Sequence, residues 1–372
     1  MNVVSPVFAL LYKYIFKKIF FLLDPEFVHD TVSVMGRFLG SNPVTRKLVR
    51  WSFSFQNPKL SQVVAGIRFA NPIGLAAGFD KNAQLLNILP DVGFGYAEVG
   101  SITGKECAGN AGTRLWRLPQ SQSLLVYYGL KNDGASAISK RLANKRYRIP
   151  VGISVAKTNS PDTVEEQEGI EDYYQAYHAF VEKNIGDYYT INISCPNAYG
   201  GEPFLEPEKL DHLLEKLHTL SHAKPVFIKL PPELPYTQID RIIDVAEKHD
   251  IAGYICTNLA KDRSNAAIKE SGIPAHGGLS GKVVQKLSDD LVAYLYQKTQ
   301  GQKVIIGCGG VFTAEDAYRK IRLGANLIQM ITGMIYGGPQ TIGQINRGLV
   351  KLLERDGLSN ISEAIGLDNP LH

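Results

Sequence analysis

Between Asp187 and Asn197 the chain reads D-Y-Y-T-I-N-I-S-C-P-N. Thr190, Asn192 and Ser194 alternate with Tyr189, Ile191 and Ile193, the period of two that gives a strand one polar and one apolar face. A polar strand face cannot enter a dry core without hydrogen-bond partners. Pro196 ends the ladder and leaves the Cys195 thiol at the strand's carboxyl end. An amide and a thiol placed this way can read a polar ligand and move a proton. A buried strand with a satisfied Asn and an inert thiol fits the same residues. Asn192-Ile193-Ser194 also matches a glycosylation acceptor, which inside a buried strand is accidental. Lys229 ends a second apolar run, F-I-K-L-P-P, where the flanking Leu230-Pro231-Pro232 leaves little room to snorkel, so it reads as a cation held in a site. Lys81 follows Asp80 in a turn and fits either a site or a surface ion pair.

The elements that must hold these groups alternate in a simple rhythm. Short apolar strands are expected near 72–76, 97–103, 151–156, 189–194, 226–230, 253–257, 304–307 and 327–331. Amphipathic helical stretches lie between most of them, as at 170–184, 208–221, 237–249 and 313–323. Eight strands with helical crossovers imply an α/β protein, a closed (β/α)8 TIM barrel, over about residues 65–356. An open doubly wound sheet competes, but no G-x-G-x-x-G follows the first strand. In a barrel the site lies at the carboxyl ends of the strands. Ala77-Gly78-Phe79-Asp80-Lys81, Ser101, Asn192, Cys195, Lys229 and Thr257-Asn258 all fall at such ends, and Ser154 lies within the third strand. Gly309-Gly310 and Thr332-Gly333 follow strands seven and eight, where such barrels bind phosphate through backbone N–H groups. Thr313 is positioned as a helix cap, which needs no ligand.

The composition is globular, with 44% hydrophobic and 20% charged residues. A net charge of +4 over 372 residues gives no footprint for nucleic acid. Cys107, Cys195, Cys256 and Cys308 show no C-x-x-C spacing, so neither zinc nor a disulfide framework is indicated, and a reducing compartment is the simpler inference. The eight histidines show no H-x-H or H-E-x-x-H, so no metal site is expected.

From Pro6 to Leu23 the chain is apolar and aromatic apart from Lys13, Lys17 and Lys18. Charge inside the apolar run argues against both a signal peptide and a spanning helix. A helix lying in the membrane interface, with its lysines gathered toward anionic headgroups, is the better reading, and a soluble helical hairpin capping the main domain is the alternative. Asp24-Pro25 starts a second helix that stops at Gly40, giving an N-terminal helical unit over 1–40. Residues 41–64 read as a linker with a short strand or two around Trp51–Phe55, and 357–372 as a C-terminal tail.

At this point the motifs resemble one family, the dihydroorotate dehydrogenases. They are N-P-I-G-L-A-A-G-F-D-K at 71–81, N-I-S-C-P-N at 192–197, G-G-L-S-G at 277–281 and I-I-G-C-G-G at 305–310. The likeness runs from about Leu22 to Ser359–Ala364, and Leu23-Asp24-Pro25-Glu26 is similar to the membrane-associated, quinone-using class. The resemblance implies FMN held by Ala77, Gly78, Lys81, Ser101, Ser154, Asn192, Lys229, Thr257, Gly281, Gly309 and Thr332. It implies orotate gripped by Lys81, Asn192, Asn197 and Asn258. Cys195 falls at the base position, and Lys229 is a cation beside the flavin. The reaction implied is FMN-dependent oxidation of dihydroorotate to orotate in pyrimidine biosynthesis. Quinone would arrive through the N-terminal helices at a membrane surface, the cytoplasmic face of the inner membrane in a bacterium.

The chain departs from the family pattern in four places. Cys195 stands where the quinone class usually has Ser, and Ser154 where a flavin-binding Asn is usual. Val126 takes the place of a substrate-binding Asn, and Leu259 that of a Thr or Ser. Two missing polar contacts at about 1–3 kcal/mol each lower orotate affinity roughly a hundredfold or more. These changes leave open a related membrane-docked FMN oxidoreductase for another small substrate, or a ligand-binding barrel without catalysis. Lys131 adds a cation whose direction the sequence does not define.

Overall fold

The computed structural model describes residues 4–371, so the outermost residues of the expected 1–40 and 357–372 segments lie outside the described residues. All eight expected strands form, each within two residues of its expected bounds. We number them β1 (Ile73–Leu75), β2 (Tyr96–Ile102), β3 (Val151–Val155), β4 (Tyr188–Asn192), β5 (Val226–Leu230), β6 (Gly253–Cys256), β7 (Val304–Cys308) and β8 (Leu327–Met330). They pair in parallel in chain order, and β8 closes on β1 through Ile328↔Ile73, Gln329↔Gly74 and Met330↔Leu75. The structure is the closed barrel, not the open sheet.

Alternation along the strands stacks the barrel interior in layers. At the amino end Tyr96, Tyr188, Phe227, Ile255, Ile306 and Leu327 pack with Val64 and Phe69 of the hairpin Gln62–Val64/Ile67–Phe69, which plugs the floor. The tyrosines fit because β1 and β3 offer glycines: a Cβ on Gly74 would meet the Tyr96 ring at 2.3 Å, and one on Gly152 the Tyr188 ring at 2.1 Å. In the middle layer the Glu98 carboxylate accepts from Tyr188 Oη at 3.2 Å and from Thr190 Oγ1 and Gln329 Nε2 at 3.0 Å. Thr190 on the polar face of β4 therefore finds its partner inside the barrel, on β2.

A three-stranded antiparallel sheet, ordered Gly278–Gly281, Ser123–Val126, Leu115–Leu118, sends Leu115, Leu124, Val126, Ser280 and Gly281 to the wall of the cleft at the barrel mouth. It is absent from the sequence reading.

The N-terminal chain is helical, over Val4–Leu11 and Lys17–Leu22 with a π-helical turn at Tyr12–Phe16 between them, then Pro25–Ser41. Asp24 Oδ1 caps the last of these by accepting from Phe27 N at 2.8 Å, with Pro25 in the first turn. Lys17 departs from the expected headgroup-facing set. Its ammonium lies 4.9 Å from the Tyr336 ring centre and 5.3 Å from that of Phe21, toward the barrel. The segment read as a linker with strands around Trp51–Phe55 contains instead a helix, Pro43–Phe53. Asn42 Oδ1 caps it by accepting from Val44 N at 2.8 Å, Val49 is buried, and Arg50 Nε reaches Asp91 at 2.7 Å. The Trp-Ser-Phe-Ser-Phe alternation spans this helix's end and the extended exit after it, which mimics a strand's period. Among the described residues no helix is long and apolar enough to cross a membrane.

Candidate active site

The carboxyl ends of the barrel strands open into one cleft of about 1260 Å³, counted out to its open mouth. Asn192 ends β4 on its floor. Its Nδ2 donates to Ser101 Oγ at 2.8 Å, and its Oδ1 accepts from Asn258 Nδ2 at 3.1 Å and Ser194 Oγ at 3.1 Å. The amide is thus both satisfied and lodged in the site. Ser101 Oγ and Ser154 Oγ lie 2.7 Å apart, so Ser154, fully buried, stands behind Ser101 and off the cleft wall. Every other expected site residue, from Ala77 and Gly78 through Thr257, Gly281, Gly309 and Thr332, lines the cleft.

Cys195 lies on that wall, half-buried. Burial pushes its thiol up to about 11; the Asn197 N–H and the Lys229 ammonium oppose that, while Glu202 and Cys107 add to it. Lys229 is buried at the end of β5, flanked by buried Leu230, Pro231 and Pro232, and has no acceptor among the described residues. Lys81 is not a surface ion pair. Asp80 is spent on the next turn, where its carboxylate accepts from Gln84 N and Leu85 N at 2.8 Å each. The Lys81 ammonium turns into the cleft, 4.0 Å from the Tyr128 ring centre. Its pKa is lowered to about 8, chiefly by burial and also by Lys131, against the pull of Asp30, Glu26 and Asp80. Asn197 Nδ2 donates to the Val126 carbonyl at 2.9 Å, and the Asn197 carbonyl accepts from Asn110 Nδ2 at 3.1 Å.

On the far side of the cleft Gly309 and Gly310 carry φ of +127° and +70°, and a Cβ on Gly310 would meet Gln285 Cβ at 2.3 Å. The backbone N–H groups of Gly309, Gly310, Thr332 and Gly333 have no acceptor among the described residues. Four unpaired donors at the ends of β7 and β8 suit a phosphate. Ser280 Oγ and Thr332 Oγ1 lie 2.8 Å apart beside them. Thr313 serves as a cap, in a capping box with Asp316. This donor set, with two buried or half-buried lysines and an amide floor, fits a phosphorylated planar cofactor and a small polar ring beside it. No cluster able to hold a metal occurs among the described residues.

Sequence reasoning missed His29 and Tyr128. His29 Nε2 contacts the Phe79 carbonyl at 3.0 Å, and its ring lies 5.0 Å from Phe79 and 6.3 Å from Tyr128. The only signal for His29 was its place one turn after Glu26 on a capped helix, which says nothing of what that face meets.

The family model described as dihydroorotate dehydrogenase matches residues 59–353. The chain is 36% identical over 363 residues to a protein of Trichodesmium erythraeum named dihydroorotate dehydrogenase (quinone), covering 93% of this chain and 95% of that one. A protein of the same name from Nostoc sp. is 36% identical over 377 residues, covering 96% and 99%. The solved ligand-free structure of the Eimeria tenella enzyme superposes with a TM-score of 0.82 at 29% identity, covering 93% of this chain and 100% of that chain.

Proposed function

The chain belongs to the dihydroorotate dehydrogenase family, and on that premise we propose roles for the groups that line its cleft. It is an oxidoreductase that converts dihydroorotate to orotate with a quinone as electron acceptor. The readings as a different oxidoreductase or a non-catalytic barrel are not favoured, since these full-length relatives bear the quinone-dependent name. The observation that carries the assignment of roles is the convergence of Lys81, Asn192, Cys195, Asn197, Lys229 and Asn258 on one cleft.

FMN is the cofactor that fits the donor set; when bound it accepts hydride from the substrate and passes electrons on to quinone. The unpaired N–H groups of Gly309, Gly310, Thr332 and Gly333 hold its phosphate, and Gly281 clears space beside Thr332, where a Cβ would lie 2.9 Å from Cγ2. Ala77, Gly78, Ser101 and Thr257 line its seat, with Ser154 fixing Ser101 from behind. Lys229 supplies positive charge to the flavin, its ammonium uncommitted within the protein. Asn192, Asn197 and Asn258 read the polar edge of the pyrimidine, and Lys81 holds its carboxylate. Cys195 Sγ, in its thiolate form, accepts the proton from the carbon alpha to the ring carbonyl as hydride leaves the neighbouring carbon.

The exposed apolar side chains of the N-terminal helices, among them Leu10, Ile15, Phe16, Ile19, Leu22 and Phe38, form the surface that docks peripherally on a membrane. The test is anaerobic stopped-flow of the purified flavoprotein with dihydroorotate, read at the visible flavin band. Rapid bleaching is expected, and a protein that stays yellow would overturn the reading.

A further inference from the structure

The wall of the cleft beside Lys81 carries a second lysine. Lys131 lines the cleft and its side chain is 42% exposed, with its ammonium 3.2 Å from Glu26 Oε1. That carboxylate does not depend on it. Arg114 already grips both Glu26 oxygens, through Nε to Oε2 at 3.0 Å and through Nη2 to Oε1. Lys131 therefore shares an oxygen that a fork-shaped partner has satisfied. Its release leaves no buried charge unpaired. Lys81 approaches the same wall with its ammonium on the Tyr128 ring, and the Arg114 guanidinium lies 5.5 Å from that ring centre. On the same cleft wall the side chain at position 126 is apolar, and the Tyr128 hydroxyl is buried without a partner among the described residues. Two ammonium groups that face one cleft and repel each other are relieved by an incoming anion.

We propose that Lys131 is a specificity-determining residue that leaves Glu26 to bind, jointly with Lys81, the carboxylate of the bound pyrimidine. Its cation replaces the polar side chain missing at Val126. The inference rests on the dihydroorotate reading and deepens it: the site selects a ring carboxylate by charge, with less weight on amide contacts.

The experiment titrates oxidised holoenzyme with orotate and, separately, with its uncharged methyl ester, following the flavin spectrum. Lys131→Met should weaken orotate roughly tenfold, the size of one charge-assisted contact, and leave the ester unaffected. Lys131→Arg should restore orotate binding. Glu26→Gln, which frees Lys131, should tighten orotate a few-fold, in the direction opposite to Lys131→Met. A merely structural role would shift both ligands together and both variants the same way. Unchanged orotate binding in Lys131→Met, or an equal loss of orotate and ester, overturns the proposal and leaves the substrate reading standing. A wild-type enzyme that binds no orotate overturns both.

Discussion

Asn197 donates its side-chain amide to the backbone carbonyl of Val126, 2.9 Å away across the cleft wall. The contact needs nothing from the Val126 side chain, so the loop after β4 keeps its seat although that side chain is apolar. Asn197 is thereby held through one Nδ2–H, which leaves its second N–H to donate and its Oδ1 to accept toward a ligand.

The first prediction concerns this pair. Val126→Asn places a second amide on the wall without touching the 2.9 Å bond. Orotate should bind up to about tenfold more tightly, as one added hydrogen bond to a buried polar ring allows. Equal dissociation constants for variant and wild type would show that the wall at 126 does not reach the ligand.

The second concerns proton transfer. Below its pKa of about 11 Cys195 is mostly thiol, so the rate of flavin reduction should climb with pH throughout the neutral range. Lys81 titrates at about 8 in the free enzyme and holds a carboxylate only while protonated, so substrate affinity should weaken as pH rises through that value. The two trends cancel above about pH 8, so kcat/KM should level off there while kcat keeps rising. Cys195→Ala should retain flavin and lose several orders of magnitude in reduction rate; normal reduction in that variant would remove Cys195 from the base role.

The third concerns the N-terminal helices. Ile15 and Ile19 are about half exposed, at 48% and 50%, and one helical turn apart. Ile15→Glu with Ile19→Glu should abolish sedimentation with anionic vesicles and cut turnover with a membrane-soluble quinone. Reduction by dihydroorotate should be spared, because neither residue lines the cleft. If vesicle binding survives, docking uses another surface.

The fourth concerns the barrel floor. Gly152→Ala would place a Cβ 2.1 Å from the Tyr188 ring, a rigid group buried in the barrel. Overpacking of this kind costs about 1–3 kcal/mol or more and should lower the thermal midpoint by several degrees. An unchanged midpoint would mean that the tyrosine layer can shift freely.

Much of this architecture is legible without coordinates. Strand period and strand number are local properties, so the eight barrel strands and the inward face of β4 follow from alternation alone. The placement of Asn192, Cys195, Lys229 and Asn258 at one end follows from parallel strands sharing a direction. One helical segment misled because local pattern competes with packing. Trp51–Phe55 alternates like a strand, yet Asn42 capping and burial of Val49 make the preceding segment a helix.

What tertiary structure alone decided concerns groups whose direction is set by distant partners. The three-stranded sheet on the cleft wall pairs Ser123–Val126 with Gly278–Gly281 from the other half of the chain, and neither segment is long enough to announce itself. Lys81 faces the cleft because Asp80 is taken by the amides of Gln84 and Leu85. Ser154 hides behind Ser101, and Lys131 reaches Glu26 on a helix that sequence separates from it by more than a hundred residues. A strand's period reports which face is apolar because burial acts on every second residue. It carries no information on which charge a loop lysine will meet, because that depends on how the chain closes on itself.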